Sequence, residues 1–144
     1  MAGSTPDDAN AFNRSVIEEF RANEGHVSGF SARTPIMLVH HIGARSGIER
    51  ITPIGCFPLG DDRYVIVASS GGSPTHPDWY HNLKAHPRID VEVGTQAFTV
   101  LADELDARAR ARLWPKLVAD APDLGKHATK TARQFPVFLL TRQE

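Results

Sequence analysis

Ile89-Asp90-Val91-Glu92-Val93-Gly94-Thr95-Gln96-Ala97-Phe98-Thr99-Val100-Leu101-Ala102 is the stretch that decides the class of fold. Ile89, Val91 and Val93 alternate with Asp90 and Glu92, the period of two that sends successive side chains to opposite faces of a strand. Gly94-Thr95 turns the chain, and Phe98, Val100 and Ala102 carry the alternation back. An antiparallel hairpin with one buried face is predicted, and it needs further strands and helices to cover that face.

The chain around the hairpin supplies them. Upstream, Ile36–Ile42 is a short, mostly apolar run, and Gly43-Ala44-Arg45-Ser46-Gly47 is a turn. Arg50 opens a next strand that continues through Ile51, Ile54 and Phe57; Pro53 has no N–H for a ladder, so this strand is an edge or bulges there. Gly60-Asp61-Asp62 turns again before Tyr64–Ala68, a buried strand. A loop over 69–77 leads to a helix from about Pro77 to Ala85, ended by Pro87. Near the start, Asn10 can cap a helix over about Ala11–Asn23, with Phe12, Val16, Ile17 and Phe20 on one stripe and Gly25 as its stop. Its polar face carries both signs of charge, which weakens a membrane-surface reading. Downstream, Asp106 can cap a helix starting near Ala107, with Leu113, Leu117 and Val118 facing inward. Pro115 predicts a kink or two short helices there. A helical segment over about Asp123–Arg133 and a strand over Phe135–Leu140 complete the chain. Short strands with intervening helices suggest a closed antiparallel barrel with helical additions. Residues 1–9 are small and polar, an expected flexible N-terminus, and residues 10–144 read as one domain.

The length of 144 residues suits one self-supporting core, and 41% apolar with 23% charged residues is ordinary for a globular protein. Sixteen basic against 17 acidic residues leave a net charge of -1, which argues against general nucleic-acid binding. Cys56 is the one cysteine, so an internal disulfide and a multi-thiolate zinc site are excluded. With no basic neighbour in sequence to activate it, it reads as a buried, inert thiol. His76, His81 and His86 are spaced by five and spread around a helix, while His40 and His41 point to opposite sides of a strand, so no metal site is expected. The N-terminus has no apolar run of the secretory kind and no stretch reaches membrane-spanning length; a cytoplasmic protein is the expectation.

Two segments can carry chemistry. In the turn at 43–47 the glycines let amide N–H groups face one point, Ser46 adds a hydroxyl, and Arg45 and Arg50 add charge-assisted donors, so a phosphate or carboxylate would sit well. Judged alone the segment favours an ordinary turn with two solvated arginines, since Gly-Ser turns are common, and it lacks the Gly-Lys-Ser/Thr ending of a P-loop. In the second, Ser69-Ser70-Gly71-Gly72 leaves a strand and leads into Pro77-Asp78-Trp79-Tyr80-His81-Asn82. The Gly-Gly pair permits close backbone approach to a planar ligand, and the helix N-terminus beyond it favours anions. Asn82 can orient polar edges; Trp79 is either a wall for the ligand or core, and Leu83 is core.

In this order along nearly the whole chain, these pieces resemble the deazaflavin-dependent nitroreductase family, the F420H2-dependent reductases of the split β-barrel fold. The resemblance is carried by Phe12-Asn13 and Val16–Asn23, by Gly43–Gly47 with Arg50 and Pro53, and by Ser69 and Gly71-Gly72. It goes on through Pro77, Trp79, Asn82–Ala85 and Pro87 to Thr131, Arg133 and Pro136-Val137. It implies a mainly β fold with helices (α+β), a split antiparallel β-barrel of the FMN-binding-like kind, and coenzyme F420 as cofactor. By the same resemblance Arg45, Ser46, Gly47 and Arg50 lie at the cofactor phosphate and nearby tail. Ile51, Thr52, Pro53 and Ile54 run beside the ring system, Val67, Ala68, Ser69 and Ser70 lie at the deazaflavin, and Asp78, Trp79, Tyr80, His81 and Asn82 complete the pocket. Members often carry lysine where Ser70 stands, and tyrosine near the acceptor in the segment where this chain has Lys126-His127-Ala128. His127 can donate a proton to the acceptor, and reads equally well as an exposed helix residue.

The activity so implied is hydride transfer from reduced F420 to an electron-poor small-molecule acceptor, an activated C=C bond in an enone or lactone, or a quinone. The alternatives are an FMN-dependent oxidoreductase of the same barrel class and a non-catalytic F420 carrier. Barrels of this type often pair, so a homodimer is a further expectation.

Overall fold

The computed structural model describes residues 6–28, 35–69, 75–131 and 134–143, with 6–10 as helical backbone only. The elements run α1 (Pro6–Ala22), β1 (Ile36–Ile42), β2 (Glu49–Gly55), β3 (Phe57–Gly60), β4 (Arg63–Val67), α2 (Asp78–Ala85), β5 (Arg88–Val93), β6 (Gln96–Glu104), α3 (Ala107–Asp120), α4 (Pro122–Ala128) and β7 (Val137–Arg142). The strands form one sheet in the order β2-β1-β5-β6-β7-β4-β3, every neighbouring pair antiparallel. β2 and β3 are the two edges, yet only Cys56 separates them in the chain. Consecutive Cα atoms are about 3.8 Å apart, so the edges must approach and the sheet must curl. The product is a seven-stranded half-barrel with helices, a mixed α+β architecture.

Alternation along β1 shows how the faces are filled. Met37 and Val39 point into the barrel with Ile54, Val91, Val100 and Phe138, where α2 inserts Trp79 and Leu83. Ile36 and Leu38 point outward beneath α1, against Val16, Ile17 and Phe20. β1 is therefore buried on both faces, which is why its sequence is nearly continuously apolar. Helices α3 and α4 cover the outer face elsewhere, with Leu117 and Leu124 on Phe57, Val65, Val67 and Val137.

The hairpin at 89–102 forms as read, with Val93 opposite Gln96 and Ile89 opposite Val100. Asp106 caps α3, its carboxylate accepting from the Ala109 amide at 2.8 Å. Five boundaries differ from expectation. Helix α1 starts at Pro6 rather than near Ala11, so residues 6–9 are helical; proline suits a first turn because its missing N–H has no partner to lose there. The strand read from Arg50 through Phe57 is two strands, because at Cys56 the chain passes from one edge of the sheet to the other; the Cys56 amide donates to Pro35 O at 2.8 Å. Helix α3 runs unbroken across Pro115, where packing of Leu117 and Trp114 on the outer face outweighs the lost hydrogen bond. Helix α4 ends at Ala128, short of the expected Arg133, which lies outside the described residues. The last strand is Val137–Arg142, two residues later than read. Pro53 sits on an edge strand, as its chemistry requires.

Candidate functional site

The β1–β2 ladder sets up a change of character along the barrel interior. Its inward pairs are Met37 with Ile54, then Val39 with Thr52, then His41 with Arg50. The interior thus passes from apolar to polar toward the turn that joins the two strands. At that end α2 brings Asp78, His81 and Asn82 against Ala44, Arg45 and Arg50 around a cavity of about 480 Å³. Arg45 and Arg50, five residues apart in sequence, therefore share one site. Among the described residues neither forms a salt bridge. The two guanidiniums outnumber the single carboxylate of Asp78, so the cavity favours an anion.

The turn is held from within. Gly47 N donates to Gly43 O at 2.9 Å, Gly43 N to Ile48 O at 3.0 Å, and Ile48 N to the Ser46 hydroxyl at 3.2 Å. Gly47 has φ +70, which favours glycine, and a Cβ on Gly43 would displace the Ser46 hydroxyl from its place in the turn. The Ala44 amide donates to Asn82 Oδ1 at 2.8 Å. The amides of Gly43, Ala44, Gly47 and Ile48 have partners inside the protein, which narrows the convergence expected from the sequence to those of Arg45 and Ser46. The charged donors that reach an anion are the side chains of the two arginines.

Asn82 is the hub of the site. Its Nδ2 donates to His41 Nδ1 at 2.8 Å, and His41 Nε2 lies 2.8 Å from Thr52 Oγ1. His41 is only 3% exposed. Burial, assisted by the nearby Arg50 charge, pushes its pKa down to about 4, so the ring is neutral at neutral pH. Sequence reading assigned His41 no role; the available signal was an inward-facing histidine in an apolar strand, which must find polar partners.

The remaining candidates are spread more widely. Ser46 and Gly47 belong to the exposed turn. Thr52 and Ile54 face the interior, whereas Ile51 packs outward against α1 and Pro53 shares that outward side. Val67 belongs to the outer core and Ala68 to the inner one; Ser69 is half-buried beside it, and Ser70, Gly71 and Gly72 lie outside the described residues. Trp79 is buried in the barrel against Phe138, at 6.1 Å between ring centres, rather than on the cavity wall. Tyr80 points to the opposite side of α2, where its hydroxyl donates to Glu104 at 3.3 Å beside a second cavity of about 490 Å³. His127 is half-buried on α4, in the layer over the outer face. Cys56 is fully buried, and burial raises its thiol to about 12, as expected of an inert cysteine. Among the described residues no cluster of metal-ligating side chains occurs.

Known proteins share the sequence and the fold of this chain. Residues 12–142 match the family model of the F420H2-dependent quinone reductases. An F420H2-dependent quinone reductase of Mycobacterium tuberculosis is 38% identical over 112 residues, which are 76% of this chain and 74% of that protein. Among solved structures, an F420H2-dependent reductase (FDR-A) is 34% identical, covers 80% of this chain and 99% of its own, and superposes with a TM-score of 0.67. A chain described as a domain-swapped dimer is 33% identical, covers 91% of this chain and 98% of its own, and gives a TM-score of 0.68. The chain belongs to the F420H2-dependent quinone reductase family, oxidoreductases whose cofactor is reduced coenzyme F420.

Proposed function

We propose that the cavity lined by Arg45, Arg50 and Asn82 receives the anionic end of reduced F420, and that the acceptor is a quinone or a similarly activated C=C compound. The observation that carries this reading is the meeting of Arg45 and Arg50 on one cavity at the polar end of the barrel. F420 carries a phosphate and a carboxylate-bearing tail, the groups a pair of guanidiniums binds best. When bound, the deazaflavin supplies the hydride; the residues of this chain bind, orient and shield. Arg45 and Arg50 neutralise the anion, and Ser46, whose oxygen accepts from Ile48 N, keeps its O–H to donate. Thr52 and Ile54 bound the interior behind the cavity and limit the entry of water. A homodimer is part of this proposal, supported by the domain-swapped relative.

Titrating the protein with F420 and following cofactor fluorescence tests the binding step. Arg45→Ala and Arg50→Ala should each weaken F420 about tenfold or more, the effect of losing one charge-assisted contact, while the far-UV spectrum is unchanged. Unaltered affinity in both variants, or binding of FMN in place of F420, contradicts the proposal.

A further inference from the structure

We infer that His41, which does not line the cavity, is the positioning residue that holds the arginine turn in the shape that receives the anion. The inference rests on the cofactor site proposed above and adds to it a residue outside the lining. Four groups form one line: Ala44 N–H to Asn82 Oδ1, Asn82 Nδ2 to His41 Nδ1, and His41 Nε2 to Thr52 Oγ1, each step 2.8 Å.

Donor and acceptor parity fixes the whole line. The Ala44 amide can only donate, so the oxygen of Asn82 must face it and the NH2 must face His41. His41 Nδ1 must then be the bare nitrogen, which puts the proton on Nε2, and Thr52 Oγ1 accepts it. With the other tautomer, or with a doubly protonated ring, an N–H would confront the Asn82 NH2. The amide would have to turn over, and its NH2 would then confront the Ala44 N–H. The turn carrying Arg45 would lose its anchor to α2. Ala44 thus sets the amide orientation, Asn82 selects the tautomer, and the Thr52 hydroxyl, able to accept or donate, satisfies the proton on Nε2; His41 in turn locks the amide that holds the turn. The groups whose charge acts on His41 are Arg50 and His40, which disfavour its cationic form, and Asp78, which favours it; the neutral ring is the form the line requires.

The test compares the parent with His41→Asn, His41→Leu and Thr52→Val. An asparagine oxygen can stand in for Nδ1 and accept from Asn82, whereas leucine fills the space without an acceptor. In cofactor-free protein, nitrogen-15 NMR should show His41 with a bare Nδ1 and a protonated Nε2. The Ala44 amide resonance should shift in His41→Leu and stay near its parent position in His41→Asn. With F420, His41→Leu should bind about tenfold more weakly and His41→Asn within about threefold of the parent, as expected for one buried partner lost or kept. Turnover at saturating cofactor should change little in either, which separates positioning from chemistry. Thr52→Val, close to isosteric, leaves the buried Nε2–H without its acceptor and should move the Ala44 amide without loss of fold, and it reads the same line if His41→Leu does not fold. An unmoved Ala44 amide in His41→Leu and Thr52→Val, or equal F420 affinity in all variants, overturns the inference and leaves the arginine site standing. A parent protein that does not bind F420 overturns the proposed function, while the Ala44 resonance still reads the His41 line.

Discussion

The two arginines and the buried histidine work by opposite electrostatics. Arg45 and Arg50 are exposed and keep their charge in water until an anion arrives, whereas His41 is kept neutral by removal from water. The unfolded chain takes up the histidine proton near the ordinary pH of about 6.5, but the folded chain resists it down to about 4. Between those values the unfolded state binds more protons, so stability falls as the pH falls through that window and is fully present above it. The loss should approach about 1.4 kcal/mol per pH unit inside the window, roughly 3 kcal/mol in all. Urea unfolding of the parent and of His41→Asn between pH 7 and 4 checks this. The parent should lose more stability by about that amount, and identical profiles would show that His41 does not hold its proton off in the folded state. That Arg45 and Arg50 can share one cavity was legible in the sequence because both flank a single tight turn. His41 was not, because its role depends on an asparagine 41 residues away that only the folded chain brings within reach.

At the scale of elements, the hairpin at 89–102 was legible since its alternation, turn and pairing all lie within one short stretch. The capped start of α3 was legible for the same local reason. Cys56 was not: periodicity records which residues are buried, and a strand that changes partners keeps the same alternation. Pro115 misled in the other direction, because a local rule about proline gave way to tertiary packing. Gly25 shows local and distant demands coinciding. Its φ is +95, and a Cβ there would come within 2.6 Å of Gly94 Cα in the hairpin turn. Gly25→Ala should therefore cost about 2–4 kcal/mol, combining left-handed strain with a backbone clash. Gly47→Ala, with φ +70 and open space around its Cβ, should cost only about 1 kcal/mol from strain alone. Denaturant midpoints of the two variants compare these directly, and equal losses would contradict the close approach of α1's end to the hairpin.

Over the whole molecule, one covalent link decides the form of the sheet. Because β2 and β3 are joined through Cys56, the curl of the half-barrel cannot relax while both edges stay paired to their neighbours. The fully buried thiol at that link reports on the barrel's integrity. Labelling by a thiol reagent should be slow in native protein and accelerate in step with global unfolding as urea is added; rapid labelling in buffer would mean that the two edges part readily. Among the described residues no helix is long and apolar enough to cross a membrane. The curl also positions the chemistry, since it points the polar end of the β1–β2 ladder at α2 and so brings Arg45 and Arg50 onto one cavity with Asn82. A crystal structure of the protein with F420 bound tests that arrangement most directly. Our account predicts the cofactor phosphate or tail carboxylate within hydrogen-bonding distance of both guanidiniums; an anionic end resting elsewhere, with Arg45 and Arg50 facing only solvent, would contradict it.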